Sequence, residues 1–432
     1  MTVTFIGHGY VGLVTACVFA DFGNNVYVIG HTHEKISKLN NGDSLIYEPG
    51  LKELLQKNLK AGRIKFSTEY KNAISNSDIV FIAVGTPMDT YGNADLKNVF
   101  DVSKKIGKYL KKGFTVVCCK STVPIGTNLR IAQIINKNKS KDSDFAIASC
   151  PEFLREGTAI SDSFNPDRIV IGSNSKKALD LLIELHKPLN GKRIITSLQS
   201  AELIKYASNS MLAIKISFAN FISFLAEETK ADVRTILDAV GLDKRIGMAF
   251  LNPGIGYGGS CLPKDVSALI NISKKMKIDP ALLTSASLIN VEARERFCKK
   301  ILKKIKPGST ITIWGLSFKP NTDDIREAPS IYIVNKLIKH KIKLQVYDPV
   351  AMNNFKLIFG SRVVYYKNPY EALKNSDALC ILTEWNEFKE VDLTKIKTLL
   401  RRPVIFDGRN IYKTQKMKNI GFDYQGIGNN IL

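Results

Sequence analysis

Cys261 stands in the run Gly256-Tyr-Gly-Gly-Ser-Cys-Leu-Pro-Lys-Asp265. The glycines free the backbone to approach a ligand, and Pro263 suits the first turn of a helix running through Val266 to Met276. A thiol at a helix N-terminus beside Lys264 is expected to ionise readily, which is the chemistry of a covalent nucleophile. A buried, inert cysteine is the ordinary alternative, but a Gly-rich loop is a poor place to bury one. Asp265 is placed to hold a water or accept a proton. In Ala201-Glu-Leu-Ile-Lys-Tyr-Ala-Ser-Asn209, Lys205 and Asn209 are four apart and share one helix face. A lysine on an apolar helix is costly unless paired. It either snorkels to water or supplies a cation for developing alkoxide or oxyanion charge. Cys150-Pro-Glu-Phe-Leu-Arg-Glu-Gly157 follows a strand and offers Glu152 as a general acid/base. Ser121-Thr-Val-Pro-Ile-Gly126 follows another strand, and its Thr122 is placed to position a water. Each of these last two segments, taken alone, also reads as a turn.

A different chemistry is written at the N-terminus. Gly7-His-Gly-Tyr-Val-Gly12 is a GxGxxG that follows the strand Val3-Thr-Phe-Ile and opens the helix Leu13 to Phe22. In that context it predicts a dinucleotide site rather than an ordinary Gly-rich turn. Gly7 would allow the tight turn, Gly9 the approach of a pyrophosphate and Gly12 the packing of helix on strand. The end of the second strand, Val26-Tyr-Val-Ile, is where a carboxylate usually holds the adenosine ribose. Here Gly30 stands there, followed by His31-Thr-His33, with no carboxylate before Glu34. A missing acid removes repulsion against a 2′-phosphate, and His31, His33 and Lys35 are candidates to receive one; the plainer reading is that ribose binding is merely weakened. No third ligand accompanies His31 and His33, so a metal is not expected.

The elements that must position these groups alternate. Continuous apolar runs at Ile79–Val84, Thr115–Cys119 and Phe145–Ser149 read as doubly covered parallel strands. They predict a doubly wound α/β domain to about residue 195. Ala201 to about Glu228 reads as one long helix without Gly or Pro, apolar around much of its circumference, and therefore expected to be buried as a linking and dimerising helix. A second α/β unit begins near 308, with strands at Thr310–Trp314, Lys343–Tyr347, Ala378–Leu382 and Pro403–Phe406. The fold expected is α/β, two Rossmann-like doubly wound domains joined by a long central helix. Its parts would be 1–200, 201–300 and 301–432.

Composition sets limits on function. With 432 residues the chain needs more than one core, and its 44% hydrophobic and 24% charged content is that of a globular protein. The net charge of +22 raises a basic nucleic-acid-binding protein as the reading from a different class. The lysines, however, spread along the whole chain and runs such as 108–112 and 299–304 look like solvated helix faces, so no nucleic-acid partner is expected. Seven cysteines without a CxxC pair are the usage of a reducing compartment, and the cytoplasm is expected. A strand beginning at residue 3 leaves no room for a signal peptide, and no apolar run has transmembrane length, so no membrane partner is expected.

Taken together the motifs closely resemble the UDP-glucose 6-dehydrogenase family, within the wider UDP-glucose/GDP-mannose dehydrogenase superfamily. The resemblance covers nearly the whole chain: GHGYVGLVTA, IYEPGL at 46–51, VGTPM at 84–88, STVPIGT, PEFLREG, AELIKYASNS, RIGMAFLNPGIGYGGSCLPKD at 245–265, GLSFKPNTDDIREAPS at 315–330, TEWNEF at 383–388 and FDGRN at 406–410. It implies oxidation of UDP-glucose to UDP-glucuronate by two successive hydride transfers. The Cys261 thiolate would capture the aldehyde as a thiohemiacetal, and a thioester would then be hydrolysed. It further implies that Lys205 stabilises alkoxide and oxyanion with Asn209 beside it. Glu152 would serve the acid/base steps, and Thr122 and Asp265 would hold water. Cofactor contacts carry over to Gly7, Gly9, Tyr10, Val11, Gly12, Gly30, Lys35, Gly85, Thr86, Pro87, Ser121, Thr122, Glu156, Lys264 and Arg326. Substrate contacts carry over to Glu152, Phe153, Leu154, Lys205, Asn209, Phe250, Leu251, Asn252, Gly254, Gly258, Phe318, Lys319 and Arg409. Arg245 matches an arginine that reaches the partner's site in a homodimer, and the C-terminal domain would hold the UDP moiety.

The sequence departs from the family at Gly30, where an acid binds the ribose, at Cys150, where asparagine is common, and at Leu262, where phenylalanine is common. Only the first bears on function, through the choice between NAD, the family habit and the expectation here, and NADP. Sister enzymes acting on GDP-mannose or a UDP-N-acetyl-amino sugar are the alternative. Gly85-Thr-Pro-Met with Gly92-Asn-Ala-Asp fits the UDP-glucose branch better.

Overall fold

Apolar strands covered on both faces need helices on both sides, and the chain builds two such sheets. The computed structural model describes residues 1–428. The chain divides into two compact units, Met1–Ser208 and Asn209–Leu432.

The first unit holds strands β1 (Thr2–Ile6), β2 (Asn25–Ile29), β3 (Ile64–Ser67), β4 (Ile79–Ile82), β5 (Gly113–Cys119), β6 (Ser143–Ser149), β7 (Arg168–Gly172) and β8 (Lys192–Thr196). They lie in the order β3-β2-β1-β4-β5-β6-β7-β8. The first six strands in that order pair in parallel, and β7 meets β6 antiparallel at the single pair Ser149↔Gly172. The order reverses between β1 and β4, which is where an open α/β sheet presents its ligand crevice. Every residue of β4 is buried, as its unbroken Ile-Val-Phe-Ile requires. Cys118 and Cys119 alternate across β5 and join different apolar clusters, Cys118 with Phe5, Phe19 and Phe81, Cys119 with Ile82, Val117 and Ile131.

The second unit repeats the plan with β9 (Thr310–Trp314), β10 (Lys343–Tyr347), β11 (Val364–Tyr365), β12 (Ala378–Ile381), β13 (Val404–Asp407) and β14 (Asp423–Gln425). Their order is β11-β10-β9-β12-β13-β14, all parallel, with the reversal between β9 and β12. The second unit also contains the helices Leu262–Lys275 and Ala281–Lys304. Four of the expected strands were read within a residue or so of their observed bounds in this unit, whereas the short edge strands β11 and β14 carry too few apolar residues to announce themselves.

A single helix, Leu198–Thr229, runs through the point at which the units divide. It is less buried than its composition predicts. Ala201, Tyr206, Ala213, Ala219 and Ala226 are buried, but Met211 (56%), Phe218 (44%), Phe221 (44%) and Leu225 (48%) are exposed. By length and mean hydropathy, 1.3 over 18 residues, it also reaches what a membrane span needs, contrary to the expectation from sequence. Its polar side chains argue for a core helix: Glu202, Lys205, Asn209, Ser217, Asn220 and Ser223 are all buried. Ser217 bonds the carbonyl of Ala286 at 2.7 Å, and Asn220 accepts from the Gly254 amide at 2.8 Å.

Candidate active site

In the first unit the glycine loop joins β1 to the helix Tyr10–Asp21. Gly7 has φ +119°, and a Cβ there would meet the Ala83 carbonyl at 2.3 Å, at the end of β4. A Cβ on Gly12 would lie 2.0 Å from the Gly7 oxygen, so helix and turn touch only because both are glycine. Gly9 differs: nothing lies within 4 Å of a Cβ there. It is exposed at the N-cap of a helix whose first amides have no side-chain cap. An open cradle of uncapped amides fits a dinucleotide pyrophosphate. The loops after β4 and β5 close on one another. Ser121 donates to the Val84 carbonyl at 2.6 Å, and Thr86 donates to the Thr122 carbonyl at 2.8 Å. Gly85, Thr86, Pro87, Ser121 and Thr122 are thus held together at the crevice. Gly30 follows β2, and His31 and Lys35 near it are exposed.

Tyr10 turns its hydroxyl onto Glu48, a residue the sequence reading passed over. Buried Glu48 accepts from the amides of Gly157, at 2.6 Å, and Ala159, at 2.7 Å, and Gly157 also donates to Tyr10 at 3.0 Å. This carboxylate fixes the segment carrying Glu152 to Glu156 against the glycine helix. Its signal was present in the IYEPGL run, but nothing local shows that its partners lie more than a hundred residues away. Glu202 was missed for the same reason. It is buried and accepts from the Gly126 amide (2.6 Å), the Asn128 amide (2.8 Å) and the Asn128 side chain (2.7 Å), holding the loop that carries Thr122.

Glu152 and Lys205 form a buried ion pair, Nζ to Oε1 3.0 Å, with side chains 8% and 5% exposed. The second carboxylate oxygen accepts from the Leu154 amide at 2.5 Å. Burial disfavours the charge on Glu152 most strongly, yet the Lys205 ammonium, the Leu154 amide and nearby Lys120 together hold its acidity below the ordinary carboxylate range. Glu152 is therefore a carboxylate, able to take a proton. The Lys205 ammonium lies 5.3 Å from the Phe153 ring, whose face also carries the Arg168 guanidinium at 3.9 Å. Glu156 follows at the end of the same segment, half-buried.

In the second unit Cys261 caps the helix Leu262–Lys275, with Pro263 in its first turn. It is exposed, whereas the other six cysteines are buried, and none of the seven is in a disulfide. Its sulfur lies 3.6 Å from the Ser260 hydroxyl. Asp265, one turn along, is fully buried and accepts from the Asn209 side chain at 2.6 Å. Lys264 directs its ammonium onto Asp265. The glycines before Cys261 are packed, not merely flexible. A Cβ on Gly258 would meet the Glu327 carbonyl at 2.3 Å, and the Gly259 amide donates to the Arg326 carbonyl at 2.9 Å. That places Phe318 against Gly259 and ties the nucleophile loop to the segment carrying Lys319 and Arg326. Arg326 itself pairs with Asp324 at 2.6 Å.

Arg409 bridges this loop to the sheet. It donates to the carbonyls of Leu382 (2.9 Å), Phe318 (3.1 Å) and Gly256 (3.5 Å) and faces Glu384 at 3.3 Å. Gly254 lies beside it. Leu251 is buried, Asn252 exposed, and Phe250 adopts φ +65°, a strained conformation for a ring-bearing residue. The Arg245 side chain is 88% exposed and pairs with neighbouring Asp243 at 2.6 Å.

The chain is similar to known proteins over nearly its whole length. Three profiles of one family, the UDP-glucose/GDP-mannose dehydrogenase family, match successive stretches: its NAD binding domain at residues 1–190, its central domain at 199–292 and its UDP binding domain at 312–414. A UDP-glucose 6-dehydrogenase of Bacillus subtilis is 45% identical over 428 residues, covering 99% of this chain and 93% of its own length. One from Pseudomonas aeruginosa is 39% identical over 442 residues, covering 99% and 97%. Among solved structures, a UDP-glucose dehydrogenase from Pyrobaculum islandicum superposes with a TM-score of 0.92 at 35% identity, covering 99% of this chain and 97% of that one. A UDP-D-ManNAc dehydrogenase from Pyrococcus horikoshii superposes at 0.88 with 28% identity and complete coverage of both chains.

Proposed function

This chain belongs to the UDP-glucose/GDP-mannose dehydrogenase family, and from that premise we propose that it oxidises UDP-glucose to UDP-glucuronate with NAD. The observation that carries the chemistry is Cys261: the one exposed thiol of the seven, at the start of a helix, on a loop packed down by glycines. The three functional parts we assign are 1–200 for cofactor, 201–300 for catalysis and dimerisation, and 301–432 for the UDP moiety.

Bound NAD supplies a hydride acceptor. The chain's own residues manage the protons and the carbon. Removal of hydride from C6 of the sugar requires the hydroxyl proton to leave, and Lys205 offers a fixed cation for the alkoxide charge that develops. Cys261 adds its sulfur to the resulting aldehyde carbon, making a C–S bond and a thiohemiacetal that cannot diffuse away. Loss of a second hydride from that carbon, for which a second NAD would supply the acceptor, together with the hydroxyl proton gives a thioester. Water then attacks, the C–S bond breaks, and the thiol and a carboxylate are released. Glu152, held ionised by Lys205, takes the proton of the attacking water, while Asn209 and Asp265 orient water and oxyanion.

A homodimer is supported by the stripe Met211, Phe218, Phe221 and Leu225, spaced seven, three and four apart on one helix face and open to solvent in a single chain. Arg245, exposed, is the residue we assign to the partner's substrate. Seven cysteines without a disulfide fit a cytoplasmic location. UDP-glucose is favoured over the amino-sugar substrates because the relatives named for it are 39–45% identical, against 28% for the UDP-D-ManNAc enzyme. The test is turnover of UDP-glucose, GDP-mannose and UDP-N-acetylmannosamine by purified protein with NAD, products identified by mass. UDP-glucuronate should dominate; preferential oxidation of either other sugar overturns the assignment.

A further inference from the structure

Gly30 is not an empty position. It is buried, and a Cβ built there would lie 2.7 Å from Nδ1 of His8 and 2.7 Å from Cδ1 of Ile36. The imidazole of His8, the second residue of the GxGxxG, fills the space into which a strand-end carboxylate would project. Its ring faces that of His31, centroids 5.6 Å apart. Burial first, then the neighbouring charges of His31 and Lys35, depress the basicity of His8, so all three basic groups share one field. The nearest carboxylate in sequence, Glu34, is engaged by Lys38 at 2.7 Å. The helix His33–Asn40 begins here with no side-chain cap.

We propose that His8, His31 and Lys35 form a subsite at the end of β2 that accepts the 2′-phosphate of NADP, with Lys35 supplying fixed charge and the imidazoles supplying N–H donors, so that this chain binds NADP as well as NAD. The inference rests on the reading of the glycine loop as a dinucleotide site. An acid at this position of such a loop bonds the ribose 2′-hydroxyl and repels a phosphate on it; here both the acid and the room for one are gone. The Lys35 charge and the two imidazole donors supply what a phosphomonoester needs, while Glu34 is held by Lys38. His8 is the specificity-determining member, because its ring both excludes the acid and faces the subsite. The structure places His31 and Lys35 beside it.

The test is calorimetric binding of NAD and NADP to the purified full chain, without sugar substrate. NADP should bind within about tenfold of NAD. His31→Ala, an exposed substitution, should raise the Kd for NADP roughly three- to tenfold and leave that for NAD unchanged. Lys35→Ala should weaken NADP more than NAD. The double substitution His8→Ala/Gly30→Asp, which makes room for the acid it introduces, should abolish NADP binding while NAD still binds. NAD binding with NADP weaker by more than about a hundredfold overturns the subsite and leaves the dehydrogenase reading intact, as does an equal effect of His31→Ala on both cofactors. Binding of neither cofactor contradicts the subsite and the dinucleotide reading together.

Discussion

Lys205→Met keeps the shape of a buried side chain and removes its charge. At 3.0 Å from the Glu152 carboxylate, and with an effective dielectric of about 20, the attraction lost is about 5 kcal/mol. Much of that only offsets the cost of burying the two charges, so stability is set by what remains: a carboxylate with one amide and Lys120 but no direct counterion. Breaking a buried pair in this way costs about 3–5 kcal/mol. The residual carboxylate can escape part of that cost by taking up a proton, which puts the expected loss at the lower end. The measurement is urea unfolding followed at a first-unit signal, alongside kcat. Lys205→Met should lower stability by about 3 kcal/mol and kcat by about a hundred- to a thousandfold. Adding Glu152→Gln removes the stranded charge, so the double variant should regain most of the stability and none of the activity. The reasoning is refuted by a single variant as stable as the parent, or by a double variant no more stable than the single. The pH dependence has a definite sign. Glu152 is held below its unfolded value, so its contribution is complete above the ordinary carboxylate range and is lost as pH falls through the lower, folded value. The parent should therefore lose more stability on acidification below that range than the double variant does.

Other perturbations follow from single contacts. Gly12→Ala drives a Cβ against the Gly7 oxygen and should weaken NAD binding at least tenfold, measured by calorimetry, while the second unit unfolds as before. Glu202→Ala strands the Gly126 and Asn128 amides and should cost about 1–3 kcal/mol in urea unfolding. Phe218→Glu/Phe221→Glu places charge on the exposed helix face, and light scattering should show a monomer where the parent is a dimer; an unchanged mass would remove that face from the interface.

Much of this was legible in the sequence because the signals are local. The strand β9 and the strand β10 coincide with their apolar runs, and the glycine loop turns where Gly7 must adopt a positive φ. The helix Leu198–Thr229 was legible as a helix but not in its exposure. Apolar residues all round predict burial, and sequence alone cannot separate a face buried in the same chain from one such as Met211, Phe218 and Phe221 that is open to solvent. The absence of an acid at Gly30 could be read directly, but its cause could not: His8 lies 22 positions away, and only the β1–β2 pairing brings its ring over Gly30. Glu48 and Glu202 escaped notice because a buried carboxylate is recognised by the amides it gathers, and those come from distant loops. The strand orders, reversing once in each sheet, are likewise properties of long-range pairing.

The central claim is that Cys261 carries a four-electron oxidation. Its most direct test is the yield of reduced cofactor per UDP-glucose consumed, in the parent and in Cys261→Ser. The parent should yield two equivalents and UDP-glucuronate, and the serine variant should not complete that oxidation. A parent that stops at one equivalent with free aldehyde, or a serine variant that still forms UDP-glucuronate at the parental rate, would contradict the role assigned to Cys261.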